Sequence, residues 1–217
     1  MRVRYNKNAT EELQAFDHYL PDANRLQEHL QKKENQGKKI YVEIGMGKGD
    51  FISQMAAQDP DSIYIGVEVC ISILALAAKK ITRYEKEHAQ TLSNLYVMSF
   101  DAKEIATIFK VHQIEKIYLN FSDPWPKKKH TKRRLTYQDF LIEYQKVLKT
   151  EGIIEFKTDN RILFEYSLIS LQQFGMQFLE VFLDLHQTDI PNVETEYERK
   201  FSALGPIYKL VASMPKS

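Results

Sequence analysis

The sequence predicts a doubly wound α/β fold: a mostly parallel sheet of seven strands with an antiparallel strand at its C-terminal end. Three observations point there. Short β-branched and aromatic runs alternate with amphipathic stretches of helical period from residue 40 onward. The first of those runs flows without a break into a glycine loop. The last two runs follow one another with no helical period between them, as a closing antiparallel strand pair would.

Residues 1–39 are polar and charged, and read as an N-terminal extension to a main domain spanning 40–217. From Glu11 to Leu30 a loose helical pattern (Leu13, Phe16, Tyr19, Leu20, Leu26, Leu30) is broken at Pro21. Arg2, Arg4 and Lys7 are candidates for contact with a phosphate backbone, with a frayed basic terminus as the alternative.

Ile40-Tyr41-Val42-Glu43-Ile44 is the first strand, running into Gly45-Met46-Gly47-Lys48-Gly49-Asp50 and then a helix carrying Phe51, Ile52, Met55 and Ala56. Strand, glycine loop and helix open a nucleotide-type βαβ unit. The dinucleotide fingerprint is G-x-G-x-x-G, with a pyrophosphate at the helix N-terminus. Here the spacing is G-x-G-x-G, and an acid, Glu43, stands two residues before the first glycine. A carboxylate is unwelcome beside a pyrophosphate but suits a ligand with a cationic amine. S-adenosylmethionine (SAM) has that amine and a sulfonium, and lacks phosphate. A tight strand–helix turn without a ligand is the alternative.

Ile63 to Val67 is the second strand and ends in Glu68, nineteen residues beyond Gly49, where such units place the carboxylate that accepts from ribose hydroxyls. Ser72 is placed to cap the next helix, whose apolar face is Ile73, Leu74, Ala77, Ala78, Ile81 and Tyr84. Leu95 to Met98 is the third strand. Asp101 follows it and reaches the adenine edge in this architecture, or else caps a helix over 103–112.

The fourth strand, Lys116 to Asn120, leads into Phe121-Ser122-Asp123-Pro124-Trp125-Pro126. Strand ends in open α/β sheets are where ligands bind. Each proline restricts the residue before it, so Asp123 and Trp125 are expected in extended conformations. Six Lys/Arg then fall within the eight positions from Lys127 to Arg134, with His130 and Thr131 among them. Formal net charge is +1 and this run alone carries +6, so the rest of the chain carries −5. Basic charge localised in this way on a near-neutral protein fits a directed nucleic-acid site; a solvated basic loop is the alternative.

Thr136-x-x-Asp139 resembles a capping box before a helix burying Phe140, Leu141, Tyr144, Val147 and Leu148. Ile153 to Lys157 is the fifth strand, closing on Asp159. A helix from Arg161 to Phe174 stops at Gly175. Phe178–Leu185 and Ile207–Val211 complete the strands, joined by a polar link containing Thr195-Glu196-Tyr197-Glu198.

The chain has one cysteine, Cys70, so an internal disulfide framework is excluded. Scattered histidines offer no metal-ligand spacing, and the longest apolar run is too short to cross a bilayer. No apolar leader follows Met1, so a cytoplasmic protein without a metal is expected.

With these residues assembled, the chain closely resembles the bacterial tRNA (guanine-N7)-methyltransferases, which are Rossmann-like class I SAM-dependent enzymes. The matching pieces are Glu43-Ile44-Gly45-Met46-Gly47-Lys48-Gly49, Gly66-Val67-Glu68, Phe121-Ser122-Asp123-Pro124-Trp125-Pro126-Lys127, His130 with Lys132-Arg133-Arg134, Lys157-Thr158-Asp159 and Thr195-Glu196-Tyr197-Glu198. The resemblance implies that Glu43, Gly45, Gly47, Glu68, Asp101 and Asp123 hold SAM, with Asp123 the catalytic residue. It implies guanosine binding by Lys127, Asp159, Thr195, Glu196, Tyr197 and Glu198. RNA contact is implied for Lys129, His130, Thr131, Lys132, Arg133 and Arg134. The implied target is the variable-loop guanosine at position 46 of tRNA, and the expected assembly is a monomer or homodimer.

The chemistry is consistent. Guanine N7 has a lone pair and no proton, so attack on a methyl donor requires no base, nucleophile or metal. It requires orientation and negative charge beside the purinium that forms. Two competing expectations are an amino-methyltransferase acting on adenine or protein glutamine, and a non-catalytic RNA-binding module of the same fold. The first carries an Asn/Asp-Pro-Pro-aromatic corner, whereas Trp125 stands here in place of the second proline.

Overall fold

The computed structural model describes residues 5–215, which leaves the expectation for Arg2 and Arg4 outside the described residues. The chain divides into two compact units, residues 1–101 and 102–217.

In the first unit three parallel strands are joined through helices as βαβ units. They are β1 (Ile40–Ile44), β2 (Ile63–Val67) and β3 (Leu95–Met98), with β2 between the other two. Two short helices, α1 (Ala9–Gln14) and α2 (Ala23–Leu30), precede β1 and lie on either side of Pro21. Helix α3 (Asp50–Gln58) connects β1 to β2, and α4 (Ile71–His88) connects β2 to β3. Near-continuous apolar strands are what a sheet covered on both faces needs, and β2 and β3 are buried along their whole length.

The polar N-terminal region is packed into this unit. Ala9 and Leu13 lie in one buried cluster with Leu74, Ala78 and Ile81 of α4. Burying a leucine such as Leu13 contributes roughly 1.5–3 kcal/mol. Tyr19 forms a parallel bridge to Val97, and the His18 carbonyl accepts from the Val97 amide at 2.9 Å, extending the sheet past β3. Ser72 does not cap α4. Cys70 holds the cap position, and the Ser72 hydroxyl accepts instead from the Asn6 amide at 3.0 Å, tying the N-terminal segment to that helix.

In the second unit β4 (Ile114–Asn120) and β5 (Leu148–Thr158) are parallel, and β7 (Tyr208–Ser213) runs antiparallel between β5 and β6 (Gln177–Phe182). The seven strands and the antiparallel C-terminal strand are thus as expected. The helices are α5 (Ile105–Ile108), α6 (Gln138–Val147), α7 (Arg161–Gln173) and α8 (Glu196–Phe201). Facing pairs such as Phe156 with Leu210 and Ile154 with Ala212 are fully buried.

Two local expectations change. Helix α5 is one turn, not the helix expected over 103–112. The capping box expected at Thr136 is absent: the Thr136 hydroxyl pairs with Ser167 of α7 at 2.8 Å, and Tyr137 holds the cap position of α6. The box that does form is at α8, where Thr195 accepts from the Glu198 amide and Glu198 reaches back to the Thr195 amide.

Candidate active site

In the first unit the cofactor candidates collect at the C-terminal ends of the strands. Glu43 is buried at 2% exposure, while Gly45 above it is exposed. Gly45, Gly47 and Gly49 all have φ between 56° and 77°, a region side chains rarely adopt. A Cβ placed on Gly45 or Gly47 would meet no atom within 4 Å, so the loop backbone borders open space. Glu68 reaches across from β2: its carboxylate accepts from the Gly47 amide at 3.2 Å and from the Cys70 amide at 3.0 Å. Asp101 stands exposed after β3. An open glycine backbone between two buried carboxylates fits a cationic, phosphate-free nucleoside better than a pyrophosphate.

The loop is held from behind by Met46. Its side chain packs against Gly66 of β2 so closely that a Cβ on Gly66 would overlap the Met46 sulfur, and its methyl would lie 3.1 Å from a Cβ on Gly49. Gly66 is therefore required by a close approach.

In the second unit Asp123 is exposed just past β4. The corner around it is not uniformly extended. Phe121 and Trp125 have φ of 50° and 43°, so the expectation of an extended Trp125 is corrected. A left-handed residue before proline is unfavourable and persists only where surroundings impose it. Arg134 imposes it here: its guanidinium donates to the carbonyls of Pro124 at 3.0 Å and Trp125 at 3.1 Å, and its other face covers the Tyr166 ring at 4.3 Å. At 6% exposure Arg134 is withdrawn from the surface and braces this corner.

The other cations of the run stay outward. Lys127, Lys128, Lys129, Lys132 and Arg133 are exposed, all but Lys127 on a helical turn spanning Lys128–Arg133. Trp125 organises two of the residues: Arg133 lies 4.8 Å from the ring centroid and His130 at 5.7 Å. The Thr131 hydroxyl donates to the Lys128 carbonyl.

Asp159 is exposed at the end of β5, although Lys157 and Thr158 before it are each 1% exposed. Asn160 caps α7 through the Leu163 amide, fixing the turn that presents Asp159. The Tyr197 hydroxyl donates to Asp159 at 3.0 Å, and the Tyr197 ring lies between Phe121 at 5.1 Å and Phe201 at 4.3 Å. Burial, then the bond and charge of Asp159, push the Tyr197 hydroxyl above its ordinary pKa.

Within the Thr195–Glu198 segment the side chains part ways. Tyr197 faces outward and Glu196 is half-buried beside Lys200. Glu198 is fully buried and the hydroxyl of Thr195 closes the capping box, so both side chains have partners within the chain. Glu198 instead meets Lys157 at 2.7 Å. Burial pushes its carboxyl up, but the Lys157 charge and bonds from Lys157, Asn192 and His186 outweigh this and hold it below the ordinary glutamate value. In the sequence Lys157 closes an apolar strand and opens the Lys157-Thr158-Asp159 piece, and neither pattern names its partner.

Among the described residues no group of three or more His, Cys, Asp or Glu is arranged to hold a metal, and no helix is long and apolar enough to cross a membrane.

A family profile described as "Putative methyltransferase" matches residues 37–210. The chain is similar to proteins named tRNA (guanine-N(7)-)-methyltransferase from Lactiplantibacillus plantarum, at 45% identity over 99% of both chains, and from Streptococcus sanguinis, at 44% over 98% of this chain and 99% of the relative. Among solved structures it resembles a 16S rRNA (adenine(1408)-N(1))-methyltransferase from Catenulisporales acidiphilia, at 15% identity and a TM-score of 0.62 over 90% of this chain and 93% of that one. A SAM-dependent methyltransferase from Aquifex aeolicus aligns at 13% identity and a TM-score of 0.55 over 98% and 100%. At these low identities the likeness shows a shared fold.

Proposed function

The chain belongs to the tRNA (guanine-N(7)-)-methyltransferase family, and from that premise we propose how its residues carry out the family's reaction, methyl transfer from SAM to N7 of the variable-loop guanosine at position 46 of tRNA. The observation that carries this reading is the Asp123 corner: an exposed carboxylate past a strand end, on a backbone clamped by Arg134 and followed by an outward cationic turn.

SAM, when bound, supplies a methyl group on a cationic sulfur. Glu43, Glu68, Asp101 and the Gly45 and Gly47 backbone hold it, the carboxylates answering its amine, ribose hydroxyls and adenine amine. Asp123 would help hold SAM; it orients the guanine through its Watson–Crick donors and stabilises the purinium charge. It removes no proton, because N7 carries none. Asp159 shares this work, steered by Tyr197, while Lys127 and Glu196 complete the guanosine contacts. Lys129, His130, Thr131, Lys132 and Arg133 bind the RNA backbone, where phosphate contacts set register. These parts lie in residues 40–217, and the segment 1–39 adds RNA contacts. The protein acts in the cytoplasm, without a metal, as a monomer or homodimer.

The test is methyl transfer from labelled SAM to unmodified tRNA, with the product located by strand cleavage specific for N7-methylguanosine. Cleavage at the variable-loop guanosine is expected, and Asp123→Ala should abolish it. Asp123→Asn should lower the rate by about a hundred- to a thousandfold, the range for losing one preorganised electrostatic group. Label on an adenine would overturn the assignment in favour of an amino-methyltransferase.

A further inference from the structure

Among the described residues Lys157 is the one lysine in the set of largest fully buried side chains, and the reaction proposed gives it no direct part. Its ammonium donates to Glu198 at 2.7 Å, to the Val193 carbonyl at 2.9 Å and to the Asn192 side chain at 3.1 Å, which occupies all three protons. Its backbone carbonyl accepts from the Phe121 amide at 2.8 Å, at the residue where the Asp123 corner begins.

We propose that Lys157 is a positioning residue for the target guanosine, joining three parts of the base-binding half through one side chain and one carbonyl; this rests on the reading given under Proposed function. Along β5 it lies two residues before Asp159. Through its carbonyl it fixes the start of the corner carrying Asp123. Through its ammonium it holds a loop wound about one carboxylate: Glu198 also accepts from Asn192 at 2.7 Å and pairs with His186 at 3.1 Å. That loop leads into α8, which brings Tyr197 to Asp159. A buried ion pair is weak evidence for stability, since apolar replacements of both partners are often neutral. Its best-attested use is to specify one arrangement. Here that arrangement is the register of Tyr197 against Asp159.

The discriminating experiment compares Lys157→Met with the double variant Lys157→Met/Glu198→Leu, in the full chain. The single variant strands a buried carboxylate and is expected to unfold more readily. The double variant removes both charges, so its thermal midpoint should stay near that of the parent. The expected result for the folded double variant is a fall of roughly a hundredfold in single-turnover methylation at saturating tRNA, the scale of a displacement of about 1 Å in a reacting group. Its affinity for SAM without tRNA should remain within about twofold of the parent. A stable double variant that methylates at the parent's rate overturns the proposal. Equal losses in SAM affinity and rate overturn it too, because they report general damage. Failure of the parent itself to methylate guanosine N7 would strike the functional reading, and is seen in the same assay before any variant is made. Should the double variant not fold, Asn192→Ala, which deletes one of the three acceptors, should still lower the saturating rate several-fold at unchanged SAM affinity; no change would overturn the proposal.

Discussion

The guanidinium of Arg134 donates to the carbonyl of Trp125 at 3.1 Å while that residue holds a φ of 43° immediately before Pro126. The last cation of the basic run therefore faces inward and braces the corner that the others follow. Replacing Arg134 by Ala would strand two carbonyls and empty the space against Tyr166. The expected cost is about 2–3 kcal/mol, that of losing hydrogen bonds from a charged donor, read as a lower midpoint in urea with an unchanged slope. The methylation rate should fall even at saturating tRNA.

Arg133 and Lys132 should behave in the opposite way. Both are exposed, and Arg133 is kept outward by the Trp125 ring at 4.8 Å. Neutralising either should leave stability within about 0.5 kcal/mol and weaken tRNA binding at low salt. Each should reduce the slope of log affinity against log salt by about one. The Arg134 variant should leave that slope nearly unchanged. An Arg134→Ala protein of parental stability with a reduced slope would return Arg134 to the RNA-contacting set.

How far the sequence was legible follows from what each signal measures. Strand positions were readable because period and β-branched content report burial directly, and the Gly45–Gly49 loop because positive φ restricts residue choice. Two similar threonine patterns show the limit, only the first of them expected as a capping box. Thr136-x-x-Asp139 and Thr195-x-x-Glu198 read alike, yet Thr136 finds Ser167 on a distant helix and Thr195 closes its own box. A hydroxyl takes the better partner that tertiary packing offers, and no local pattern reveals it. The same holds for charge. Arg134 and Arg133 are neighbours in one run, and only the carbonyls of Pro124 and Trp125 distinguish them. Extended geometry at Trp125 was expected from proline alone; the imposed φ comes from that clamp.

Tyr197 steers Asp159 through one hydroxyl at 3.0 Å, while its ring rests against Phe121 and Phe201. Tyr197→Phe keeps the ring contacts and deletes the donor. A bond to a carboxylate, screened by solvent at this exposed site, is worth about 1 kcal/mol, so kcat/KM for tRNA should fall by roughly three- to tenfold with SAM affinity unchanged. Tyr197→Ala should lose more, because the Phe121 and Phe201 contacts go as well. Equal effects in the two variants would remove the hydroxyl from the mechanism.

The Met46–Gly66 contact predicts a localised failure of the cofactor half. In Gly66→Ala the new methyl overlaps the Met46 sulfur and stands 3.4 Å from Ile52, which is fully buried and cannot retreat. Met46 must move, and it belongs to the loop whose backbone is assigned to SAM. Overpacking of this kind costs about 1–3 kcal/mol, and SAM affinity should drop about tenfold. Adding Met46→Ala relieves the overlap, so the double variant should recover SAM affinity relative to Gly66→Ala alone. Additive losses would show that Gly66 matters for another reason.

The lowered carboxyl of Glu198 gives the Lys157 pair a defined pH dependence. Its native pKa lies below the unfolded one, so its contribution is fully present above the unfolded value, about 4.3. It is lost as pH falls through the native value. Glu198→Gln leaves the Lys157 ammonium buried without a counter-charge, a situation that costs about 3–5 kcal/mol. At pH 7 the variant should therefore be less stable than the parent by that amount. Below about pH 4.3 the unfolded chain takes up the proton first, and the gap should narrow until the native carboxylate is protonated too. His186 lies 3.1 Å from the same carboxylate and 3.9 Å from Glu194, so both proteins are best compared in a His186→Asn background, which removes imidazole titration. Urea unfolding between pH 7 and pH 3 reads the result. A gap that stays constant with pH would mean that the Gln variant suffers from lost shape and hydrogen bonding, and that the charge of Glu198 is not what holds Lys157.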